Sequence, residues 1–346
     1  MQKYKNNRIY LYLCCKICGM KFRTELFIPT GDFKISHFDT IFMMGSCFVE
    51  NISAKMTSAG FDIDVNPFGV IYNPLSLSQN LNRLMDGELY TESELFRDKD
   101  LFHSFSHHSR FSGTNLLETL GKINSRLEYS SVFLRKSSLL IITFGTAFVY
   151  RLRTTGAVVS NCHKLPASLF IHERICLDDI VTEWNNLIER LKRFAPGIKI
   201  LFTVSPLRYL KDGFHENQLS KATLLLATEK LIRDNSDTFY FPSYEIMMDD
   251  LRDYRFYAED LIHPSQQAIE YIWEKFSEAY FDKQTQKTVC EFESIERAIN
   301  HKPFYPESEE YKSFVKKVEK KRLALKTELS GKVDSSQHLL IMMEKI

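Results

Sequence analysis

The sequence predicts an α/β fold, a mostly parallel β-sheet with helices on both faces. Two observations carry the prediction. Unbroken apolar runs at Ile41–Met44, Leu139–Phe144 and Ile200–Val204 have the length and continuity of strands buried on both sides. Segments of helical period separate them, and alternation of strand and helix argues a parallel sheet.

The elements follow in order. Phe38 to Met44 reads as the first strand, and Gly45-Ser46 turns it into a helix reaching about Gly60. Phe61 to Val65 alternates with period two, as an exposed second strand does. Asn66-Pro67-Phe68-Gly69-Val70-Ile71-Tyr72-Asn73-Pro74 is a loop by its two Asn, two Pro and Gly. Short helices are expected over Leu75–Met85 and Glu92–Phe96, strand character over Phe102–Phe111, and a helix over Asn115–Tyr129. Leu139–Phe144 is the second buried strand. Phe148–Arg153 and Ala157–Ser160 flank Thr154-Thr155-Gly156 as an inserted hairpin. A helix over Leu177–Phe194 stops at Pro196-Gly197. Lys199–Val204 is a strand ended by Ser205-Pro206, Leu219–Arg233 a helix, and Thr238–Phe241 a strand closed by Pro242. Pro264 suits the first turn of the amphipathic helix Ser265–Tyr280. Beyond about Pro303, Glu307–Ser330 is dense in Lys and Glu and reads as a solvated helix.

Composition bounds the function. The 346 residues are 44% hydrophobic and 26% charged, which suits a globular enzyme. A net charge of +1 gives no electrostatic reason to expect nucleic acid as a partner. Seven cysteines without regular spacing make no disulfide framework, and a reducing, cytoplasmic setting is expected. Cys14, Cys15 and Cys18 lack a second pair at zinc-finger spacing. Lys3, Lys5 and Arg8 before Ile9–Cys15 echo a signal peptide, but Lys16 interrupts the run. Residues 1–19 are therefore expected to be an extension outside the fold, with 20–302 the folded domain and 303–346 a charged helical extension. No apolar stretch is long enough for a membrane helix.

Two short patterns bear chemistry. Ser46 sits where a buried strand feeds a helix, at the sheet edge where α/β folds hold ligands. By itself that position favours a helix N-cap over a nucleophile. Asp260-Leu261-Ile262-His263 places a carboxylate three residues before an imidazole. Asp260 can then hold one tautomer of His263 while the ring takes a proton. Alone this spacing is weak. It follows the last strand, however, and supplies the two groups that Ser46 needs for activation.

Gly45-Ser46-Cys47-Phe48, with Val49 following, resembles the signature of the bacterial GSCFA family, which itself resembles the SGNH/GDSL hydrolases. The likeness runs from about Phe22 to Phe281. It passes through Asn66-Pro67-Phe68-Gly69, Phe144-Gly145-Thr146, Asn161-Cys162-His163-Lys164, Ser205-Pro206 and His215-Glu216-Asn217. The resemblance implies a flavodoxin-like three-layer α/β/α sandwich and an ester hydrolase, or an O-acyltransferase using the same chemistry. It matches Ser46 to the nucleophile, His263 to the base and Asp260 to its orienting partner. The Ser46 and Gly69 N–H groups fall where the oxyanion is bound. The superfamily's third donor, an Asn, is missing from Gly145-Thr146-Ala147-Phe148; Asn161 and Thr146 are the candidates to replace it. O-acyl carbohydrate esters are the substrate class suggested, with no cofactor and no metal.

Other readings stay open. Cys47 competes with Ser46 as nucleophile, since a helix N-terminus favours a thiolate. His103, His107 and His108, with Cys162-His163 elsewhere, lack a clear carboxylate partner for a metal and read better as surface or pocket histidines, His163 among them. Lys164 and Arg208 either meet an anionic substrate or are loop charges in water. Arg208, Lys211, His215 and Glu216 follow the third buried strand and are candidate substrate contacts. A binding module with little turnover is the non-enzyme alternative.

Overall fold

A computed structural model describes residues 23–343 apart from Thr30, Asp32 and Lys302. The expected extension over residues 1–19, with Cys14, Cys15 and Cys18, lies outside the described residues.

The chain runs β1 (Thr40–Gly45), α1 (Cys47–Ser58), β2 (Asp62–Val65), α2 (Pro74–Asp86), β3 (Leu95–Asp98), β4 (Leu101–Ser104) and α3 (Leu116–Arg135). It continues with β5 (Leu139–Phe144), β6 (Phe148–Leu152), β7 (Val158–Val159), β8 (Phe170–Arg174), α4 (Leu177–Phe194), β9 (Lys199–Val204) and α5 (Phe214–Asp234). The last elements are β10 (Thr238–Phe241), α6 (Gln266–Tyr280), α7 (Lys283–Ile299) and α8 (Glu309–Met343). Five strands make the central sheet in the order β2-β1-β5-β9-β10, every neighbouring pair parallel. This is the flavodoxin-like order, with β1 inside the sheet and its carboxyl end at the reversal of winding.

The unbroken apolar runs are explained by the two faces they serve. Phe42 and Met44 of β1, Leu140, Ile142 and Phe144 of β5, and Ile200, Phe202 and Val204 of β9 point into one core with α2, α3, α4 and α5. Their alternates Ile41, Met43, Leu139, Ile141 and Leu201 point into the other, with α1, α6 and α7. A fully buried aliphatic or aromatic side chain contributes roughly 1.5–3 kcal/mol, so two layers of such residues anchor the sheet. Trp184 of α4 is fully buried, and its indole N–H donates to Pro74 O at 3.1 Å, leaving no polar atom unpaired.

Several expectations are corrected. Glu92–Phe96 is a short 3₁₀ turn at Glu92–Glu94 running into β3, which pairs antiparallel with β4. Five residues are too few to nucleate an α-helix against that pairing. The helix expected over Asn115–Tyr129 extends to Arg135, and the one expected from Leu219 begins at Phe214. The inserted hairpin gains a third strand, since β8 pairs antiparallel with β6. β8 carried no period because Phe170 alone of its five residues is buried. α8 forms one helix over the charged C-terminal stretch. Among the described residues no helix is long and apolar enough to cross a membrane.

Candidate active site

The turn after β1 is built backbone first. Gly45 has φ +147°, and a Cβ there would lie 2.4 Å from Thr143 O on β5, so the strands can meet this closely only at glycine. Asn66, fully buried at the end of β2, accepts the Gly45 N–H on Oδ1 at 2.9 Å and donates its own N–H to Met43 O at 2.9 Å. The Gly45 N–H fixes which way that amide faces, and Asn66 Nδ2 is left buried without a partner. Ile71 N–H donates to Gly45 O at 3.0 Å, tying the loop after β2 to the same turn.

Ser46 caps α1. Its Oγ accepts from Phe48 N–H at 3.4 Å, and the residue is only 1% exposed. Cys47 beside it is half-buried. Burial and then Glu50 push the thiol pKa up, while its own N–H, the Phe48 N–H and Lys221 act in the opposite direction. Adjacent residues thus divide: the hydroxyl faces the helix end and the thiol senses the charged groups around it.

Asp260 and His263 form the pair that their spacing predicts. Asp260 Oδ1 accepts the N–H groups of Ile262 and His263, both at 2.9 Å, and Oδ2 bonds His263 Nδ1 at 2.5 Å. The His263 N–H, then the Ile262 N–H, then the imidazole hold the Asp260 carboxyl down at about 2. Leu261, at φ +56°, closes the tight loop between them. Ala258 N–H donates to His263 O at 2.8 Å, and Arg208 N–H to Ile262 O at 3.3 Å, which docks this loop on the one after β9. Both side chains are about half exposed. Among the described residues no hydrogen bond joins Ser46 to His263, and the imidazole Nε2 has no protein partner.

The expected oxyanion donors each hold hydrogen bonds within the protein. Gly69 N–H donates to Asn66 O at 2.8 Å inside a tight turn. Glycine is required there by φ +85° and because a Cβ would lie 2.2 Å from His108 Cβ. The Thr146 hydroxyl meets Ser220 Oγ at 3.1 Å and accepts Phe148 N–H at 3.1 Å. Asn161 accepts His163 N–H at 2.8 Å and reaches Ser109 Oγ at 3.4 Å.

The remaining expected contacts spread out. His163 is buried, with Nε2 on Ser104 O at 2.8 Å and Nδ1 facing Ser109 Oγ at 3.3 Å, contacts that hold its loop. Arg208 lies over the Tyr257 ring at 5.2 Å and lines a cavity of about 260 Å³ with Met247, Leu251 and Tyr254. His215 is exposed on the first turn of α5, and Glu216 faces Arg174 at 3.8 Å. His103 bonds Ser112 Oγ at 2.7 Å and His107 bonds Ser104 Oγ at 2.9 Å, with burial pushing His107 down to about 3. No group of three or more His, Cys, Asp or Glu among the described residues is placed to hold a metal ion.

Lys221 of α5 is a residue that the motifs did not single out. It is 1% exposed, and Nζ donates to Gly145 O and Ser205 O, both at 2.7 Å, bridging the carboxyl ends of β5 and β9. Burial pushes its ammonium down to about 7, with Cys47 acting the other way. The sequence held one signal: Lys221 shares a helix face with Leu224, Thr228 and Leu231, all buried. Beside these groups, Tyr72 and Thr146 open a cavity of about 380 Å³ that runs under the β6–β8 insertion. A larger groove, about 660 Å³, lies between α1, α6 and α7 and is lined by none of these residues.

Among solved structures the likeness is distant. A family 3 carbohydrate esterase from Clostridium thermocellum is 11% identical, with a TM-score of 0.33 over 69% of this chain and 93% of that one. An acetyl xylan esterase from the rumen bacterium Butyrivibrio proteoclasticus is 10% identical, with a TM-score of 0.34 over 73% and 64%. A family two carbohydrate esterase from Clostridium thermocellum, in complex with cellohexaose, is 12% identical, with a TM-score of 0.34 over 74% and 65%. No curated protein matches the chain. The profile of the GSCFA family matches residues 40–276, and that of the GSCFA domain protein, C-terminal domain, matches residues 292–336. The first of these spans every strand of the central sheet and reaches into α6, and on that match the chain belongs to the GSCFA family.

Proposed function

We propose that the protein cleaves an O-acyl ester through an acyl-enzyme formed at the carboxyl edge of the parallel sheet. Ser46 Oγ attacks the ester carbonyl carbon and its proton passes to His263 Nε2. The C–O bond to the alcohol then breaks, and that alcohol leaves with the same proton. Water repeats the sequence and frees the acid. Asp260 orients the imidazole and stabilises the imidazolium. The observation that carries the reading is the Asp260–His263 pair, with both backbone N–H bonds fixing the carboxylate and Nε2 left for a substrate. The Ser46 N–H and the unpartnered Asn66 Nδ2 beside the turn are the donors that this reading gives to the oxyanion, an effect of about 2.7–4 kcal/mol per donor. Gly69 can join them only by giving up its bond to Asn66 O. An acyl group on a carbohydrate is the substrate class to test first.

A second reading is favoured by a particular observation. Ser46 is 1% exposed with its Oγ on the helix end, whereas Cys47 is half-buried, although burial and then Glu50 push its thiol pKa up against the pull of its own N–H, the Phe48 N–H and Lys221. In that reading the same steps run through a thioester. A fluorophosphonate probe with intact-mass and peptide mapping separates the two. Labelling at Ser46 that disappears in His263→Ala and Asp260→Asn supports the first. Turnover that survives Ser46→Ala and is lost on alkylating Cys47 transfers the role to the thiol. A native protein inert to probe and ester alike, yet binding acylated sugars, sinks both and leaves a binding module. Adding a sugar or alcohol acceptor distinguishes an acyltransferase, in which the acceptor captures the acyl group faster than water does.

A further inference from the structure

The cavity beside the turn has a composition that the chain as a whole does not. The protein balances 45 Lys and Arg against 44 Asp and Glu. The residues lining this cavity nevertheless include Lys164, Lys211, His108 and His172 and not one carboxylate. Lys164 and Lys211 make no ion pair among the described residues. The acids that act on the lining are Asp212, 3.5 Å from His172 Nδ1 and next in sequence to Lys211, and Glu50, which interacts with Tyr72 and His108; neither lines the cavity. The walls between the basic groups are aromatic. Tyr150 and His172 stack at 4.3 Å, Phe148 lies 5.0 Å from His172, and Lys211 bonds the Tyr150 hydroxyl while lying 4.9 Å from its ring centre.

The loop that carries Lys164 is held in a conformation that an unconstrained chain avoids. His163 and Lys164 are consecutive non-glycine residues at φ +50° and +60°. The strain is maintained by the buried His163 ring on Ser104 O and Ser109 Oγ, and by Asn161 Oδ1 on the His163 N–H. Backbone strain of this kind persists only where surrounding contacts over-determine it, and it gathers at ligand clamps. The cavity also adjoins the turn after β1. Among its lining residues Tyr72 interacts with Cys47, beside the candidate nucleophile, and Tyr209 interacts with Lys211.

We propose that this cavity binds the non-reacting part of the substrate, and that this part is a ring bearing a negative charge. The ring lies against Tyr150, Phe148 and Tyr72, and its anionic group meets Lys211 and Lys164. Apolar walls with a few convergent polar groups fix a ligand's orientation, and an acid-free basic mouth selects by charge. Only the word "substrate" rests on the esterase reading; the charge and ring preference is a statement about binding.

The test is a titration of the full chain with glucose, glucuronate and glucose 6-phosphate, followed by calorimetry or ligand-observed NMR. The three share one ring and differ in the group at its sixth carbon. At least one of the two anions is expected to bind tenfold or more tightly than glucose, an advantage that shrinks as NaCl is raised. Whichever binds better tells carboxylate from phosphate. The advantage is expected to vanish in the double variant Lys164→Ala/Lys211→Ala and to return in Lys164→Arg/Lys211→Arg. Equal affinity for all three sugars, or an anion preference that survives the double alanine variant, overturns the proposal. Acetylated glucose and acetylated glucuronate are then compared as substrates. Hydrolysis of both at equal kcat/KM, with no preference in binding, defeats the charge selection while sparing the esterase. Charge-selective binding without any hydrolysis does the reverse.

Discussion

Lys221 places an ammonium where solvent cannot reach, between the last carbonyls of two adjacent strands. Its pKa of about 7 against an ordinary 10.5 makes folding stability depend on pH with a definite sign. Between those values the unfolded chain holds a proton that the folded chain has released, so stability rises as pH rises through this window. The slope from this group alone is about 1.4 kcal/mol per pH unit. Below pH 7 both states are protonated and the dependence vanishes. Urea midpoints measured from pH 7 to 9.5 for wild type and Lys221→Met are expected to diverge steadily, the wild type gaining on the variant. Parallel curves would mean that the ammonium is not desolvated in solution. At this scale the sequence was readable where a role depends on near neighbours. Asp260 and His263 meet because three residues of a tight loop bring them together. The Thr146 hydroxyl was not readable, because its direction is set by Ser220, 74 residues away on α5.

The turn between β1 and α1 is the element on which the site depends. Gly45→Ala must push a methyl group against Thr143 O and Thr143 N, at 2.4 and 2.9 Å, from a φ that alanine adopts only under strain. It is expected to cost at least about 2 kcal/mol of unfolding free energy, and to lose fluorophosphonate labelling even where the fold survives. Gly121→Ala in α3, where a Cβ meets nothing within 4 Å, is the control and should stabilise by about 0.5–1 kcal/mol. Chemical denaturation of the two variants reads both. Elements serving both faces of the sheet were legible, since two-sided burial leaves an unbroken apolar run. β8 and β3 were not, because strands that bury one residue or lie in a small surface ribbon leave neither period nor run.

The whole molecule divides by burial. α7 places Val289 in the second core and also buries Phe292 and Ile295, and Phe292 is the ring that a Cβ at Gly60 would strike at 2.6 Å. α8 touches α7 through contacts such as Arg322 on Glu296 at 3.1 Å, and surface ion pairs of this sort contribute about 0–1 kcal/mol. Ending the chain after residue 303 is expected to shift Tm by no more than about 5 °C. Ending it after residue 282 removes Phe292 and its neighbours, each worth about 2–5 kcal/mol, and should leave no cooperative transition. Calorimetry of the two shortened chains decides between them. A helix, α8, runs through the charged stretch after Pro303. That α7 belongs to the core was hidden, because its apolar residues are spaced among long charged side chains.

The parallel order β2-β1-β5-β9-β10 also fixes a calendar for the growing chain. When β1 and β2 have left the ribosome, the other flank of β1 is an open row of amides on a strand whose centre, Ile41–Met44, is apolar. Its rightful neighbour, β5, begins only at Leu139, and the loop bearing His263 is made later still. For the time needed to synthesise the 74 residues from Val65 to Leu139, that flank is the part of the nascent protein most prone to pair with the wrong strand. The Asp260–His263 pair is therefore completed only after the most hazardous interval of synthesis has passed.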